Sequence, residues 1–527
     1  MRNTLTILKP NIALIVALLL SPLAALHAAE LPQAAVTINT DAPTVAYSRM
    51  MFGGFLEHFD NQIYGGVFEP GSPLADKQGF RKDVLAALKE LKVPVIRWPG
   101  GCFVDSYHWQ TGVGKNRKAY GDYRWGVMES NAFGTDEFVE LCRRVGAEPY
   151  ICQNGLGSVQ EMADWVAYCN ASEGKFAELR KQNGHAAPFN VKFWSVGNER
   201  YDKAYINRVR DGAQAMKQVD PRIFITCAGS QGGMARFGFK VSSNLLAEAG
   251  ERLDYISIHN YWLSRGDPLP KYDYLAAITK SEWPEAYISL VCGSLAEAGM
   301  ENRLKIAFDE WNLRAWQHPG FPRDTVADYQ DLKLRELVEQ RRRENDLPEQ
   351  YTMADALFAA SFLNACLRHS DHVGMANIAP LVNTRGPLFV HPKGIVKRTH
   401  FHAMSMYANL LQESVARVKV IADLLTHGEE SVAVADAIAT VDDSGKHWAI
   451  ALINRHPDQE LACTVTMKDQ ILDGKYAATI LAGDSSDAFN DIEHPNRVTP
   501  QKMTLTFTKG VVNLPPHSLT IVKVSLK

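Results

Sequence analysis

Val191-Lys192-Phe193-Trp194-Ser195-Val196-Gly197-Asn198-Glu199 is the stretch on which the reading of this chain turns. A short apolar run ends abruptly in a glutamate. The run lacks the in-out alternation of a half-buried strand, and so reads as a strand buried on both faces, as in a parallel sheet. A second run, Ile306-Ala307-Phe308-Asp309-Glu310-Trp311-Asn312, ends in the same way. Outward from these two, similar runs recur at residues 52–57, 93–101, 148–154, 223–229, 255–262 and 373–379, giving eight candidate strands. Helical patterns lie between them, for example at residues 80–91, 135–145, 158–169 and 205–219. Thr352 and Asp355 resemble a capping box that opens a further helix. Strands separated by helices pair in parallel, and eight such units close into a (β/α)8 TIM barrel.

The texture changes after residue 411. Residues 430–441, 447–454, 460–467, 476–482, 503–509 and 518–524 are β-branched, often alternating, and bounded by turn residues. They predict a C-terminal all-β sandwich over residues 412–527, with the barrel over 51–411. The early strand signal Ala35-Val36-Thr37-Ile38-Asn39 places residues 30–50 as an N-terminal strand segment joining that sandwich. Residues 1–29 carry Arg2 and Lys9, an apolar run broken at Ser21-Pro22, and then Ala28-Ala29. This is the pattern of a secretory signal peptide. It predicts an exported protein, periplasmic or secreted, with no membrane association after cleavage.

The 527 residues are 46% hydrophobic and carry a net charge of −3, enough apolar material for a large core and too little positive charge for a nucleic-acid partner. The one notable basic cluster, Arg341-Arg342-Arg343, reads as a solvated helix face. The eight cysteines show no Cys-x-x-Cys pair, so neither a zinc ribbon nor a disulfide lattice is indicated. No strand ends in His-x-His or in clustered His/Asp ligands, and the expected chemistry needs neither metal nor cofactor.

That chemistry follows from where the glutamates fall. In a barrel of this kind, functional groups project from the C-terminal strand ends. Glu199 ends the fourth strand and Glu310 the seventh, so the two carboxyls can face each other across the barrel mouth. Glycoside hydrolysis requires such a pair, one ionised and one holding a proton until the glycosidic oxygen takes it. Asn198 can turn an amide toward a sugar hydroxyl. His259 and Tyr261, two residues apart and so on one strand face, sit at the end of the sixth strand. Trp98, Trp109, Trp311 and Trp316 follow the motif segments and are candidates for stacking on sugar faces.

Gly197-Asn198-Glu199 and Phe308-Asp309-Glu310-Trp311-Asn312 resemble the acid/base and nucleophile segments of glycoside hydrolase family 51, most of whose members are α-L-arabinofuranosidases. Phe52-Gly53-Gly54-Phe55-Leu56-Glu57-His58, Arg97-Trp98-Pro99-Gly100-Gly101 and the stretch through Asp105, Trp109 and Gly114 narrow the resemblance to that family. It runs from about Val36 to the C-terminus. It implies a retaining, exo-acting enzyme that releases terminal arabinofuranose from arabinoxylan, arabinan or their oligosaccharides, with Glu199 as acid/base and Glu310 as nucleophile. It further implies that Glu57 accepts hydrogen bonds from furanose hydroxyls, that His259 contacts the acid/base or the leaving group, that Tyr261 bonds Glu310, and that the protein is a homo-oligomer.

Two departures bear on which sugar is bound. The family pattern Pro-Gly-Gly-Asn has Cys102 in place of its Asn, and Asn377-Ile378-Ala379 is followed by Pro380 where the family tends to have Gln. Both remove hydrogen-bonding groups from the expected sugar subsite. An endo-β-1,4-glucanase or β-xylosidase on the same scaffold is the alternative; a non-catalytic carbohydrate-binding barrel would not need both glutamates.

Overall fold

The computed structural model describes residues 31–526, apart from 123, 126–127, 230–239, 264–272, 317–331 and 469. The predicted signal peptide lies outside the described residues. Eight strands close a parallel barrel: β1 Gly53–Phe55, β2 Val95–Trp98, β3 Glu148–Gln153, β4 Phe193–Val196, β5 Phe224–Ala228, β6 Tyr255–Leu263, β7 Lys305–Arg314 and β8 Val373–Ile378. Each pairs with its neighbours in sequence, and β8 closes on β1. All eight fall on the runs read from the sequence. Those runs are legible because parallel barrel strands are covered on both faces; β2, β4 and β8 are buried at every residue.

Helices pack outside the barrel. Thr135–Val145 follows β2, Val159–Asn170 follows β3 and Lys203–Val219 follows β4. Met353–Arg368 opens on the predicted capping box: the Thr352 hydroxyl accepts from the Ala354 amide, and the Asp355 carboxylate accepts from the Thr352 amide. Every residue of this helix but its last is buried, because it is wedged between the barrel and the C-terminal sheet. Asp436 of the sheet binds it there, accepting from Asn364 at 3.0 Å and Arg368 at 2.9 Å.

The C-terminal region is a β-sandwich. The strand Ser414–Ala422 serves both layers: Ser414–Ala416 pairs with Ala435–Val441, while the remainder pairs with the N-terminal strand Gln33–Asn39. Alternate residues of these strands and of His447–Asn454, Leu461–Met467 and Ser518–Ser525, among them Val36, Ile38, Ala437, Ile450, Cys463, Val465 and Val522, meet in a shared apolar core. No helix among the described residues is long and apolar enough to cross a membrane.

Candidate active site

Arg97, in the middle of β2, is the hub of the barrel mouth. Its Nη1 donates to Glu310 Oε1 at 2.6 Å, its Nη2 donates to Asn198 Oδ1 at 2.7 Å, and its Nε lies 3.3 Å from Asp309 Oδ2. A buried guanidinium is stable only among such partners.

Two consecutive acidic side chains point into the barrel, which a regular strand does not allow. The register explains it. Between Ala307 and Glu310, β7 advances three residues against two of β6, and a matching slip occurs against β8. This bulge turns both Asp309 and Glu310 inward. Asp309 accepts from Tyr150 at 2.8 Å and from Ser257 at 2.5 Å, and lies 3.3 Å from His259 Nε2. Burial would raise its carboxyl, but Arg97, His259 and Ser257 hold it at about 2. Glu310 accepts from Tyr261 at 2.9 Å. Burial pushes its carboxyl up, against the pull of His259 and Arg97. With those two cations in place, Glu310 and Asp309 are the carboxylates that balance them.

Glu199 reaches the mouth by a turn. β4 stops at Val196, Gly197 takes φ +68°, and Glu199 takes φ +44°. A side chain at Gly197 would meet the Gly155 Cα at 2.9 Å. The Glu199 side chain is 41% exposed and its Oε1 lies 2.9 Å from His259 Nδ1. One carboxylate oxygen of Glu199, one of Glu310 and a ring nitrogen of His259 all lie within 4.8 Å of one another. Burial alone would lower the His259 imidazole; Glu310, Asp309 and Glu199 overcome this and push it up to about 10. It is therefore held as an imidazolium near neutrality. The cluster is built to hold a proton.

Glu57, just past β1, completes the pocket. Its Oε1 accepts from the Phe103 amide and from Trp125 Nε1, both at 2.9 Å. Gly101 lies between these groups: a Cβ there would come 3.0 Å from Glu310 Oε1 and 3.4 Å from both Glu57 Oε1 and Asn198 Nδ2. Glycine leaves that volume open for a ligand. The Cys102 thiol is 4.0 Å from Asn198 Nδ2, and burial raises it, so it stays a neutral thiol.

Burial, with a smaller push from Glu310, raises the Glu57 carboxyl to about 8. A carboxyl whose folded value lies above its unfolded one favours the folded state fully below about pH 4.5, and loses that contribution as pH rises through about 8. Glu57→Gln keeps the acceptor but cannot ionise. Its stability relative to the parent is expected to rise between pH 5 and 9, by on the order of a few kcal/mol. Urea denaturation at several pH values measures this; parallel curves would refute it.

The tryptophans require a correction. Trp109 has no exposed surface; it packs on Trp165, Tyr168 and Phe176, and its Nε1 donates to the Glu161 carbonyl. Trp98 stacks on Phe138 and Trp311 on Phe362, both inside the core. None of the three presents a face to a sugar, because the helices outside the barrel cover them. Trp316 is placed at the site, edge-on to Tyr261 with ring centres 4.9 Å apart.

The residues that sequence reasoning missed are Trp125, Asp309, Tyr150, Ser257 and the bonding role of Arg97. Trp125 stacks on Phe59 at 4.2 Å. It is carried by the hairpin formed by Tyr120–Gly121 and Met128–Glu129. That hairpin is pinned by a relay: Trp98 Nε1 donates to His58 Nε2 at 2.9 Å, and His58 Nδ1 donates to Glu129 at 2.6 Å. A signal for two of them was present, since a charge within a fully apolar strand, as at Arg97 or Asp309, needs a buried partner.

A parallel barrel with one glutamate just past β4 and another at the bulge of β7, bonded to a histidine, a tyrosine and an arginine, defines the class of carboxylate-pair glycoside hydrolases. The sequence matches the family description "Alpha-L-arabinofuranosidase 1 domain" over residues 87–266 and "Alpha-L-arabinofuranosidase C-terminal domain" over residues 309–518. It is 32% identical to alpha-L-arabinofuranosidase C of Emericella nidulans, over 93% of this chain and 97% of that one. It is 31% identical to an intracellular exo-alpha-(1->5)-L-arabinofuranosidase of Halalkalibacterium halodurans, over 80% of this chain and 84% of that one. The thermostable GH51 alpha-L-arabinofuranosidase of Thermotoga petrophila superposes with a TM-score of 0.80 at 30% identity, over 94% of this chain and all of that one. The chain belongs to glycoside hydrolase family 51, the α-L-arabinofuranosidases, and is an enzyme of that kind.

Proposed function

We propose that the chain is a retaining, exo-acting α-L-arabinofuranosidase that works after export and releases terminal arabinofuranose from arabinoxylan, arabinan or their oligosaccharides. The observation that carries this reading is the approach of Glu199 and Glu310 oxygens to within 4.8 Å. It suits the separation of about 5–5.5 Å at which one carboxylate attacks carbon directly better than the about 6.5–9.5 Å at which an inverting pair holds a water between its carboxyls.

In the first step the Glu310 carboxylate attacks the anomeric carbon while Glu199 gives its proton to the departing glycosidic oxygen. A covalent arabinosyl-enzyme and the free aglycone result. In the second step Glu199 takes a proton from water, the water attacks the anomeric carbon, and Glu310 leaves with its charge restored. Arg97 and Tyr261 bond the two oxygens of Glu310 and orient the attack. His259, at 2.9 Å from Glu199, orients the carboxyl that gives and regains the proton. Glu57, Asn198 and Cys102 line the sugar position.

A hydrolysis panel tests the reading. Nitrophenyl α-L-arabinofuranoside is expected to be cleaved fastest, ahead of the β-D-xyloside, the β-D-galactofuranoside and β-glucan. Proton NMR of the first product should show the starting anomeric configuration, and linear arabinan should yield monosaccharide from the outset. Activity confined to β-glucan would overturn the proposal.

A further inference from the structure

We propose that Asp309 is a positioning residue that acts through His259 on the acid, turning the proton of Glu199 toward the leaving group. This deepens the proposed function and rests on Glu199 being the proton donor. Asp309 has no exposed surface, so it does not touch the sugar. Its Oδ2 accepts from the Tyr150 hydroxyl at 2.8 Å and lies 3.3 Å from Arg97 Nε. Its Oδ1 accepts from the Ser257 hydroxyl at 2.5 Å and lies 3.3 Å from His259 Nε2.

These contacts decide where the ring carries its protons. An ionised carboxylate only accepts, so the single proton of the Ser257 hydroxyl is committed to Asp309. The Ser257 oxygen also stands 3.1 Å from His259 Nε2 and has no second proton to give, so Nε2 carries a hydrogen and donates. The other nitrogen, Nδ1, is 2.9 Å from Glu199 Oε1 and 3.4 Å from Glu310 Oε2. A neutral ring with its hydrogen on Nε2 would offer Nδ1 as an acceptor. The Glu199 proton would then turn into that bond, away from the substrate. A ring protonated at both nitrogens donates to Glu199 Oε1 instead, and leaves the acid proton on the second oxygen.

Charge selects between these two states. Asp309 and Glu310 face the ring from β7 and Glu199 faces it from the β4 turn, while Arg97 on β2 is the cation shared by Asp309 and Glu310. Before reaction Glu199 holds its proton and is neutral. With Arg97 offsetting one of the two remaining carboxylates, it is the presence of Asp309 beside Glu310 that balances the second proton of His259.

The test compares a nitrophenyl α-L-arabinofuranoside with an arabino-oligosaccharide, in the parent and in Asp309→Asn. The ratio of their kcat/KM values, nitrophenyl over oligosaccharide, is expected to rise roughly a hundred-fold in the variant, because a diverted proton costs most where the leaving group is most basic. A merely structural loss would lower both values and leave the ratio unchanged. Nitrogen NMR of enzyme carrying isotope-labelled histidine reads the ring directly, with the His259 signals assigned by their loss in His259→Asn. Near neutral pH the parent should show both His259 nitrogens protonated, and Asp309→Asn should show a neutral ring. An unchanged ratio in a folded Asp309→Asn enzyme, or a neutral His259 in the parent, overturns the inference; the second result does so even where the variant fails to fold. If the parent does not cleave the nitrophenyl arabinofuranoside, the proposed function falls, while the NMR comparison still decides the protonation of His259.

Discussion

Glu310→Ala is expected to lower hydrolysis of an aryl α-L-arabinofuranoside by roughly four orders of magnitude or more. Among the described residues, no neighbouring group can replace the lost nucleophile. Asp309 is held by Arg97, His259, Ser257 and Tyr150, and the Cys102 thiol stays protonated. The substitution also leaves Arg97 and His259 facing one carboxylate fewer, and removing one partner of a buried ion pair costs about 3–5 kcal/mol. Glu310→Gln is therefore the companion variant: its amide oxygen still accepts from Arg97, its shape is preserved, and it should be equally inactive with a smaller loss of stability. Azide separates lost chemistry from lost structure. In the cavity left by Ala, azide can attack the anomeric carbon from the face that Glu310 used, giving an arabinosyl azide of inverted configuration. Retained turnover near the parent level in a folded Glu310→Gln enzyme would remove Glu310 from its role.

Glu199→Ala is expected to act selectively. Loss of a general acid costs typically 10²–10⁴-fold, and the loss grows with the basicity of the leaving group. Cleavage of arabino-oligosaccharides, whose leaving group is an alkoxide, should fall by about the upper figure. A nitrophenyl glycoside, whose phenolate leaves unaided, should still form the arabinosyl-enzyme, which then accumulates because no base activates water. Azide needs no base, so it should speed release and give an azide of retained configuration, opposite to the outcome at Glu310. Folding is not at issue: Glu199 is 41% exposed, and alanine at φ +44° is no more strained than glutamate. Equal losses on both substrate classes would show that Glu199 is not the proton donor.

Much of this architecture was legible before any coordinates. The eight barrel strands stood out because each is short, apolar and covered on both faces, and the helix at Met353 announced itself through Thr352 and Asp355. The meeting of Glu199 and Glu310 at one mouth followed from strand ends, and that of His259 and Tyr261 with them from a strand end together with the family resemblance. The tryptophans were not legible. Trp109 and Trp316 look alike as aromatic residues in loops after strands, yet one lies beneath three aromatic neighbours and the other lies against Tyr261. Trp125 carried no signal, because the hairpin that brings its Nε1 to Glu57 is positioned by a relay through Trp98, His58 and Glu129, residues distant in sequence.

By itself the sequence determined the barrel, the sheet domain after it and the pair of carboxyls that meet at the mouth, because burial on both strand faces and a glutamate at the strand end are local properties of the chain; the family was legible only through the resemblance of its motifs. Only the tertiary structure decided how those carboxyls are held. A bulge in β7, visible only against its neighbours, turns Asp309 inward beside Glu310, and this lets Arg97 and His259 be shared between the two. Charge balance within a pocket is a property of several strands at once. No single stretch of sequence, including the one ending at Glu199, carries it.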